Sequence, residues 1–287
     1  MKQNIFKSVG LIKVIDKSNN TYEFSQIYID EKNFINVKLD GDTNLPKIIF
    51  SNSLGSDLRL WDSQVEVLKE KFCIIRYDIR GHGQSSKFEG PFSLDILEND
   101  VIKILDELNI EKAHFVGLSI GGMTSLGLAL KHQNRLNKIV CCAARADMPA
   151  PMKESWSERI SIVKKIGTIG VVNSSLERWY SDEFRNNPSN LNKINLATEM
   201  IKNTSIEGYI GCCEAIKNLD YLKELSTINK DILYISGEND IGAPAMTMEE
   251  MHHLTPNSKY ESIPGAAHIL NIEAPELVNK IILNFLN

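Results

Sequence analysis

The chain has 287 residues, of which 43% are apolar and 24% are charged, and its formal net charge is −5. This composition predicts a globular protein with a large core in one or two domains, not a disordered chain. The negative charge, with no stripe of basic and aromatic residues, argues against nucleic-acid binding. The N-terminal residues lack a continuous apolar segment, and no run of about 18 apolar residues occurs. We therefore expect a cytoplasmic protein that does not bind or span a membrane.

The five cysteines argue against two other classes of protein. They include the adjacent pairs Cys141-Cys142 and Cys212-Cys213, their number is odd, and no C-x-x-C spacing occurs. This pattern fits neither a disulfide framework nor a zinc site. We interpret the cysteines as small buried apolar residues and expect no metal.

Two hairpins are predicted at the N-terminal end. Apolar stretches 11–15 and 21–24 flank the turn-forming residues 18–20, and stretches 25–29 and 34–39 flank a second polar turn. Short extended stretches around turn residues are typical of antiparallel pairs. We therefore expect an antiparallel edge to the sheet.

Short apolar strands and helical segments alternate after Pro46. Helical stretches are predicted over 61–71 and over 94–108, where leucine, isoleucine and valine recur at helical spacing. The predicted strands lie at 48–50, 73–77, 113–116, 138–142, 232–235 and 260–263. Such alternation predicts an α/β fold with a mostly parallel sheet between two layers of helices.

The last helix is predicted to start at Pro275 and to bury one face. Proline is favoured at the first position of a helix, and the apolar residues recur at helical spacing. The face is expected to consist of Leu277, Ile281, Ile282 and Phe285.

The alternation stops between Asp147 and about Asn218. Trp156, Ile160, Val163 and Ile166 fall on one helical face there, and at least three further helical segments follow. We predict a helical cap over 147–218, which separates a first core part, 1–146, from a second, 219–287. Its position after a strand lets it cover the carboxyl edge of the sheet, where open α/β sheets bind ligands.

Gly117-Leu118-Ser119-Ile120-Gly121 connects a predicted strand to a predicted helix. The glycines allow a sharp turn in which strand and helix approach closely, and the helix N-terminus favours negative charge. The pattern G-x-S-x-G occurs by chance in many chains, but partners for a nucleophile follow in the expected order. We predict that Ser119 is the nucleophile.

An acid and a histidine follow in the order Ser, Asp, His. Asp240 comes directly after the predicted strand 232–235 and can orient a histidine, although Asp147 is an alternative. His268 follows small residues after the last strand, and histidine exchanges protons near neutral pH. We predict Asp240 as the orienting acid and His268 as the general base, with His82 as the alternative base.

A loop after strand 48–50 is predicted to supply part of an oxyanion hole. The backbone N–H of Leu54 would pair with the N–H of Ile120, the residue after the nucleophile. Asn52 is expected to shape this loop beside the substrate. The alternative is an ordinary connection between a strand and a helix.

These motifs resemble those of the α/β-hydrolase superfamily and, within it, the 3-oxoadipate enol-lactonases. The resemblance extends from about Gln26 to the C-terminus, and Asn-Ser-Leu-Gly in place of the usual His-Gly is its more specific feature. It implies an eight-stranded-type sheet with the cap inserted after strand six, a small-molecule substrate and no cofactor. The similar stretches are 51–61, 76–85, 117–123, 143–145, 156–160, 176–180, 208–209 and 266–273.

The resemblance implies a hydrolase of a small carboxylate-bearing lactone. Residues 1–25 are an addition to the family pattern, and the proline-bearing stretch 146–151 also departs from it. Other hydrolysis of esters or C–C bonds, cofactor-free perhydrolase or haloperoxidase chemistry, and a non-catalytic ligand receptor are the alternatives. An arginine fork suits a buried carboxylate. Arg145 is the first candidate, followed by Arg159 with Trp156; the alternative for Arg145 is a salt bridge between cap and core.

Overall fold

One nine-stranded sheet organises the protein in a computed structural model, which describes residues 9–15 and 21–287. The strand order is β1-β2-β3-β5-β4-β6-β7-β8-β9. The strands are β1 (Val9–Ile15), β2 (Thr21–Tyr28), β3 (Phe34–Asp40), β4 (Lys47–Ser51), β5 (Cys73–Tyr77), β6 (Ala113–Leu118), β7 (Leu136–Cys142), β8 (Ile232–Gly237) and β9 (Ser258–Ile263).

The sheet is antiparallel at one edge and parallel elsewhere. β1, β2, β3 and β5 pair antiparallel in that order, and β4 to β9 continue with parallel pairs. Both predicted hairpins are confirmed, although stretches 21–24 and 25–29 belong to the single strand β2, because no glycine or proline separates them. The turn predicted at 18–20 lies outside the described residues.

The N-terminal addition accounts for a difference in strand number. β1 comes from residues 1–25 and pairs with β2 at the edge of the sheet. Without β1 the sheet has the eight strands expected, and the predicted cap follows the sixth of them, which is β7 here. The expected fold class is confirmed, with one strand added at the antiparallel edge.

Helices cover both faces of the sheet, so its central strands are buried on both sides. Ile48, Ile49 and Phe50 in β4 are almost completely buried, and the Phe50 ring lies 4.6 Å from that of Trp61. The α-helices are α1 (Asp62–Leu68), α2 (Leu94–Glu107), α3 (Ile120–Lys131), α4 (Ala150–Ile166), α5 (Val172–Trp179), α6 (Asp182–Asn186), α7 (Leu191–Asn203), α8 (Ile206–Lys217), α9 (Ala245–Leu254), α10 (Leu270–Glu273) and α11 (Pro275–Leu286). Short 3₁₀ helices are Leu58–Trp61, Gln133–Arg135, Thr168–Val171, Pro188–Asn190 and Leu222–Thr227.

Helices α4 to α8 occupy the segment 147–218, which we call the cap segment. An isolated antiparallel bridge between Asp147 and Asp220 brings its two ends together. Trp156, Ile160 and Val163 are buried as predicted, but Ile166 is 56% exposed. The prediction for Ile166 is wrong because it is the last residue of α4, where the chain turns at the protein surface.

The face predicted for the C-terminal helix is displaced. α11 begins at Pro275 as predicted, but Leu277 is 39% exposed, whereas Val278 and Ile282 are fully buried. Leu286 continues the same row at four-residue spacing. The apolar stripe is wide, so the packing against α1 decides which part of it is buried.

The cysteines are all free and buried, as the sequence predicts. Among the described residues, no group of three or more His, Cys, Asp and Glu side chains is arranged to hold a metal ion. No helix in the same part of the chain combines the length and apolar character needed to cross a bilayer.

Candidate active site

Ser119 lies at the sharp turn between β6 and α3. Its backbone has φ 59° and ψ −116°, a strained conformation for a residue with a side chain. Its N–H donates to the carbonyl oxygen of Cys142, and its own carbonyl oxygen accepts from Met123 N–H at 2.8 Å. The turn is therefore fixed on both sides, and the hydroxyl is held at the carboxyl edge of the sheet.

Two glycines permit this turn by removing steric clashes. A Cβ on Gly117 would lie 2.1 Å from the carbonyl oxygen of Gly121, and a Cβ on Gly121 would lie 2.4 Å from the carbonyl oxygen of Ser51. Neither distance is compatible with a side chain unless the backbone moves. The glycines of the G-x-S-x-G pattern are thus required by the close approach of α3 to β6 and β4.

Ser119, His268 and Asp240 form a chain of hydrogen bonds. The Ser119 Oγ and His268 Nε2 atoms are 2.8 Å apart, and the His268 Nδ1 and Asp240 Oδ2 atoms are 2.7 Å apart. All three residues are buried, with 6%, 3% and 3% of their surface exposed, respectively. In this arrangement the imidazole can accept the serine proton while the carboxylate orients the ring.

The Asp240 carboxylate is stabilised in its charged form. Burial alone would raise its pKa, but attraction to His268 and the hydrogen bond from that ring outweigh burial and lower the pKa below its ordinary value. The N–H groups of Gly242 and Ala243 add to this effect by donating to Oδ1 at 2.8 and 3.1 Å. A charged, fixed carboxylate can stabilise the imidazolium that forms when His268 is protonated.

The structure places the two alternative residues elsewhere. Asp147 forms an ion pair with Arg145 and makes no hydrogen bond to His268. His82 is 1% exposed, its Nδ1 atom contacts the carbonyl oxygen of Arg80, and burial lowers its pKa to about 4. The residues predicted first therefore form the chain of hydrogen bonds: His268 contacts Ser119, and Asp240 contacts His268.

The loop 52–55 is hydrogen-bonded directly to the turn that carries Ser119. Asn52 Nδ2 donates to the carbonyl oxygen of Tyr77 at 2.8 Å, and the carbonyl oxygen of Asn52 accepts from Gly121 N–H at 3.2 Å. Asn52 is fully buried, which fits the expected role in shaping the loop. Within the described chain, the N–H groups of Leu54 and Ile120 donate to no protein acceptor. Two main-chain donors thus remain available beside Ser119.

A glutamate with no predicted role holds the loop 264–269, which carries His268 and which we call the histidine loop. Glu273 Oε2 accepts from Ala267 N–H, next to His268, and Oε1 accepts from Ser181 N–H at 2.7 Å and from the Ser181 hydroxyl at 2.8 Å. It therefore joins the histidine loop to the cap segment. Glu273 belongs to the stretch 266–273 that carries the family resemblance, which is the sequence signal that could have indicated it.

The predicted carboxylate-binding arginines already have partners in the protein. Arg145 lies 3.5 Å from the Asp147 carboxylate and donates to the carbonyl oxygen of the same residue. Arg159 Nε donates to the Tyr209 hydroxyl at 2.7 Å, and its guanidinium lies 6.0 Å from the Trp156 ring. Arg145 thus makes the salt bridge that the sequence leaves open as its alternative.

Comparison with known proteins agrees with this geometry. A family model described as alpha/beta hydrolase fold matches residues 46–167 and 171–275. The chain belongs to the alpha/beta hydrolase family. Among curated relatives of this hydrolase, 3-oxoadipate enol-lactonase 1 from Acinetobacter baylyi is 36% identical over 251 residues, which cover 88% of this chain and 92% of the relative. The 3-oxoadipate enol-lactonase 2 of the same organism is 32% identical, with coverages of 85% and 90%.

A solved structure is also similar to this hydrolase. The enol-lactonase from Burkholderia xenovorans LB400 superposes with a TM-score of 0.85 at 32% identity, covering 89% of this chain and 97% of that one. The resemblance inferred from the motifs is confirmed. The protein is a hydrolase of the lactone and ester class.

Proposed function

We propose that this hydrolase opens a small carboxylate-bearing lactone, 3-oxoadipate enol-lactone, to 3-oxoadipate through an acyl-enzyme on Ser119. The observation that carries the proposal is the hydrogen-bonded chain from Ser119 through His268 to Asp240, beside two unused main-chain N–H groups. The names of the two Acinetobacter baylyi relatives and of the Burkholderia xenovorans structure support the choice of lactone.

The first step is acyl transfer to the serine. Ser119 Oγ attacks the lactone carbonyl while His268 Nε2 takes its proton, and Asp240 stabilises the resulting imidazolium. The negative oxygen that develops lies between the N–H groups of Leu54 and Ile120, where the N-terminus of α3 also favours negative charge. These donors are fixed before the substrate arrives, so little reorganisation is needed during the reaction.

Collapse of the tetrahedral intermediate breaks the ring C–O bond. His268 returns its proton to the leaving enol oxygen, and the enol then becomes the ketone of the product. Water attacks the acyl-enzyme with His268 again acting as the base, which releases the second carboxylate and restores Ser119. The proposed reaction consumes one water molecule and requires proton transfer at a single histidine.

Four residues are predicted to contact the substrate. Asn52, Arg145, Trp156 and Arg159 stay predictions as substrate-binding residues. Asn52 is fully buried within the loop 52–55, and Arg145 forms an ion pair with Asp147. These contacts favour supporting roles for both residues.

A substrate panel tests the proposed function. Purified protein should hydrolyse 3-oxoadipate enol-lactone with a kcat/KM at least about a hundredfold above that for unsubstituted lactones, carbamates and C–C substrates, because only the first presents both the activated carbonyl and the carboxylate. Peroxide-dependent halogenation should be absent or minor. Efficient turnover of another substrate class, with no turnover of the enol-lactone, would refute the assignment.

A further inference from the structure

The Arg178 guanidinium lies in the cap segment near the candidate site and has no hydrogen-bond partner in the described part of the protein. Its Nε atom is buried and has no hydrogen-bond acceptor, although the side chain as a whole is partly exposed. Within residues 9–15 and 21–287, the guanidinium makes no hydrogen bond or ion pair, and its aromatic contact is with Trp156, 5.2 Å from the ring centroid. A half-buried guanidinium whose Nε has neither a protein acceptor nor access to water leaves a polar group unsatisfied, so it needs an explanation.

The backbone places Arg178 beside the histidine loop. Arg178 lies at the end of α5, and the carbonyl oxygen of the next residue, Trp179, accepts from Ile269 N–H at 2.9 Å. Ile269 directly follows His268, so this hydrogen bond joins the arginine end of α5 to the histidine. Glu273 makes a second connection between the same two segments through Ser181.

The side chain of Arg178 approaches the site from that position. A Cβ placed on Gly242 would lie 3.6 Å from Arg178 Cδ and 3.8 Å from His268 Nδ1. The arginine stem and the imidazole therefore both lie next to Gly242, on the Nδ1 side of the His268 ring. Asp240 is also close, but its oxygens already accept from His268, Gly242 and Ala243.

The charge around Arg178 favours an anion. Burial is the main influence that lowers the pKa of Arg178, and repulsion from the Arg159 guanidinium lowers it further. The group still carries its proton, because an arginine side chain is not deprotonated in proteins at neutral pH. An anionic ligand would relieve both the repulsion and the unmet hydrogen-bonding capacity.

The neighbouring arginines are less suited to bind a ligand. Arg145 has an aspartate partner. All three nitrogens of Arg159 donate to protein oxygens, on Tyr209, Ser174 and Ser175. Either residue would have to exchange an existing contact for the ligand, whereas Arg178 would gain contacts without losing any.

We infer that the guanidinium of Arg178, positioned on the Trp156 ring, binds the carboxylate group of the substrate. The inference rests on the proposed function and specifies its substrate contact. The planar fork of a guanidinium can donate two parallel hydrogen bonds to a carboxylate, and the cation–π contact with Trp156 helps to hold the guanidinium in place. The carboxylate then orients the substrate carbonyl relative to Ser119.

A matched pair of esters tests this contact. Monoethyl adipate and ethyl hexanoate share the acyl chain length and the leaving alcohol but differ in the terminal carboxylate. Arg178→Gln should lower kcat/KM for monoethyl adipate by about tenfold or more and change that for ethyl hexanoate by less than about twofold. The kcat/KM of Arg178→Lys for monoethyl adipate should lie between the values for the wild type and Arg178→Gln, because lysine keeps the charge but lacks the planar fork. The control is Arg185→Gln, which changes a partly exposed cap arginine paired with Asp182 and should affect neither ester.

Ligand-free stability separates binding from a structural role. If Arg178 is reserved for a ligand, Arg178→Gln should unfold at the same or a higher temperature than the wild type, because it removes a half-buried charge that makes no ion pair. Adipate should raise the melting temperature of the wild type and not that of Arg178→Gln. Equal losses on both esters, or equal protection of both proteins by adipate, would overturn the inference.

The two proposals can fail independently. If the wild type prefers monoethyl adipate because of Arg178 but does not open the enol-lactone, the carboxylate contact is supported and the proposed substrate is wrong. If the wild type and Arg178→Gln open the enol-lactone with the same kcat/KM, the proposed function is supported and the carboxylate contact is wrong. If neither ester is hydrolysed, protection by adipate decides whether Arg178 binds a carboxylate.

Discussion

The main-chain N–H of Gly121 donates a 3.2 Å hydrogen bond to the carbonyl oxygen of Asn52. This contact joins the turn that carries Ser119 to the loop that carries Leu54. The two N–H groups proposed for the oxyanion hole, on Leu54 and Ile120, therefore lie on two segments that this hydrogen bond joins. Their spacing is fixed in the folded protein before any substrate binds.

Gly121→Ala should disturb this spacing. The new Cβ would lie 2.4 Å from the carbonyl oxygen of Ser51, so β4 or the nucleophile turn must move. Because losing one oxyanion donor costs on the order of a hundredfold to a thousandfold in kcat, we expect a loss of that size with a much smaller change in KM. Steady-state kinetics measure both values, and an unchanged kcat in a folded variant would contradict the arrangement.

Asp240→Asn should reduce kcat on the order of ten thousandfold. The amide cannot stabilise the imidazolium and favours the wrong tautomer of His268, as in comparable triads. Asp147→Asn is the matched control, since Asp147 also follows a strand but contacts Arg145 and not His268. Its kcat should stay within a few-fold of the wild type. Reversed losses would move the role of orienting acid to Asp147.

Glu273→Gln should impair the position of His268 without removing a reacting group. The amide nitrogen would face the N–H of Ala267 or Ser181, so one of these donors would lose its acceptor. We expect kcat to fall about tenfold while KM changes little, because the histidine loop shifts relative to Ser119. A pure loss of thermal stability, with kcat unchanged at a temperature where the protein is folded, would assign Glu273 a structural role alone.

His82 should make the stability depend on pH. Burial lowers the pKa of this histidine from 6.5 to about 4, so the unfolded chain takes up the proton more readily than the folded protein. The stability contributed by neutral His82 is present above about pH 6.5 and is lost as the pH falls towards about 4. Asn can keep a donor to the Arg80 carbonyl oxygen in place of Nδ1 but does not titrate.

Urea unfolding of the wild type and His82→Asn measures this effect. Between about pH 7.5 and about pH 5, the wild type should lose about 2 kcal/mol of unfolding free energy relative to the variant. Burial, followed by repulsion from Lys138, also lowers the pKa of His114 to about 4, so the variant should retain part of the acid sensitivity. An equal pH dependence in both proteins would contradict the burial of an uncharged His82.

Much of the site is predictable because its residues lie in short local motifs. Ser119 needs glycines on both sides, Asp240 follows a strand, and His268 follows the last strand, so each can be found without knowing the fold in detail. The parallel strands then bring these three loops to one edge of the sheet. The chain order Ser, Asp, His leaves Asp147 open as the acid but disfavours His82, which precedes Ser119. The hydrogen bond from His268 to Asp240 then distinguishes Asp240 from Asp147.

The contacts within the cap segment could not be predicted in the same way. Arg145 can be selected from the sequence because it follows a predicted strand. Arg178 lies on a helix, and tertiary packing decides which face of that helix points towards the site. Similarly, the wide apolar stripe of α11 permits either Leu277 or Val278 to face α1, and the packing chooses Val278. Helical periodicity gives the faces that can be buried, but the neighbouring elements decide which one is.

The most direct test of the account is the turnover of 3-oxoadipate enol-lactone by Ser119→Ala. The substitution removes the nucleophile and leaves the turn and its glycines in place, so the melting temperature should stay close to that of the wild type. Loss of a serine nucleophile reduces kcat on the order of a millionfold in a comparable enzyme, and the variant should show no turnover above the uncatalysed rate. Retention of more than about a tenth of the wild-type activity by a folded Ser119→Ala protein would contradict an acyl-enzyme on this serine.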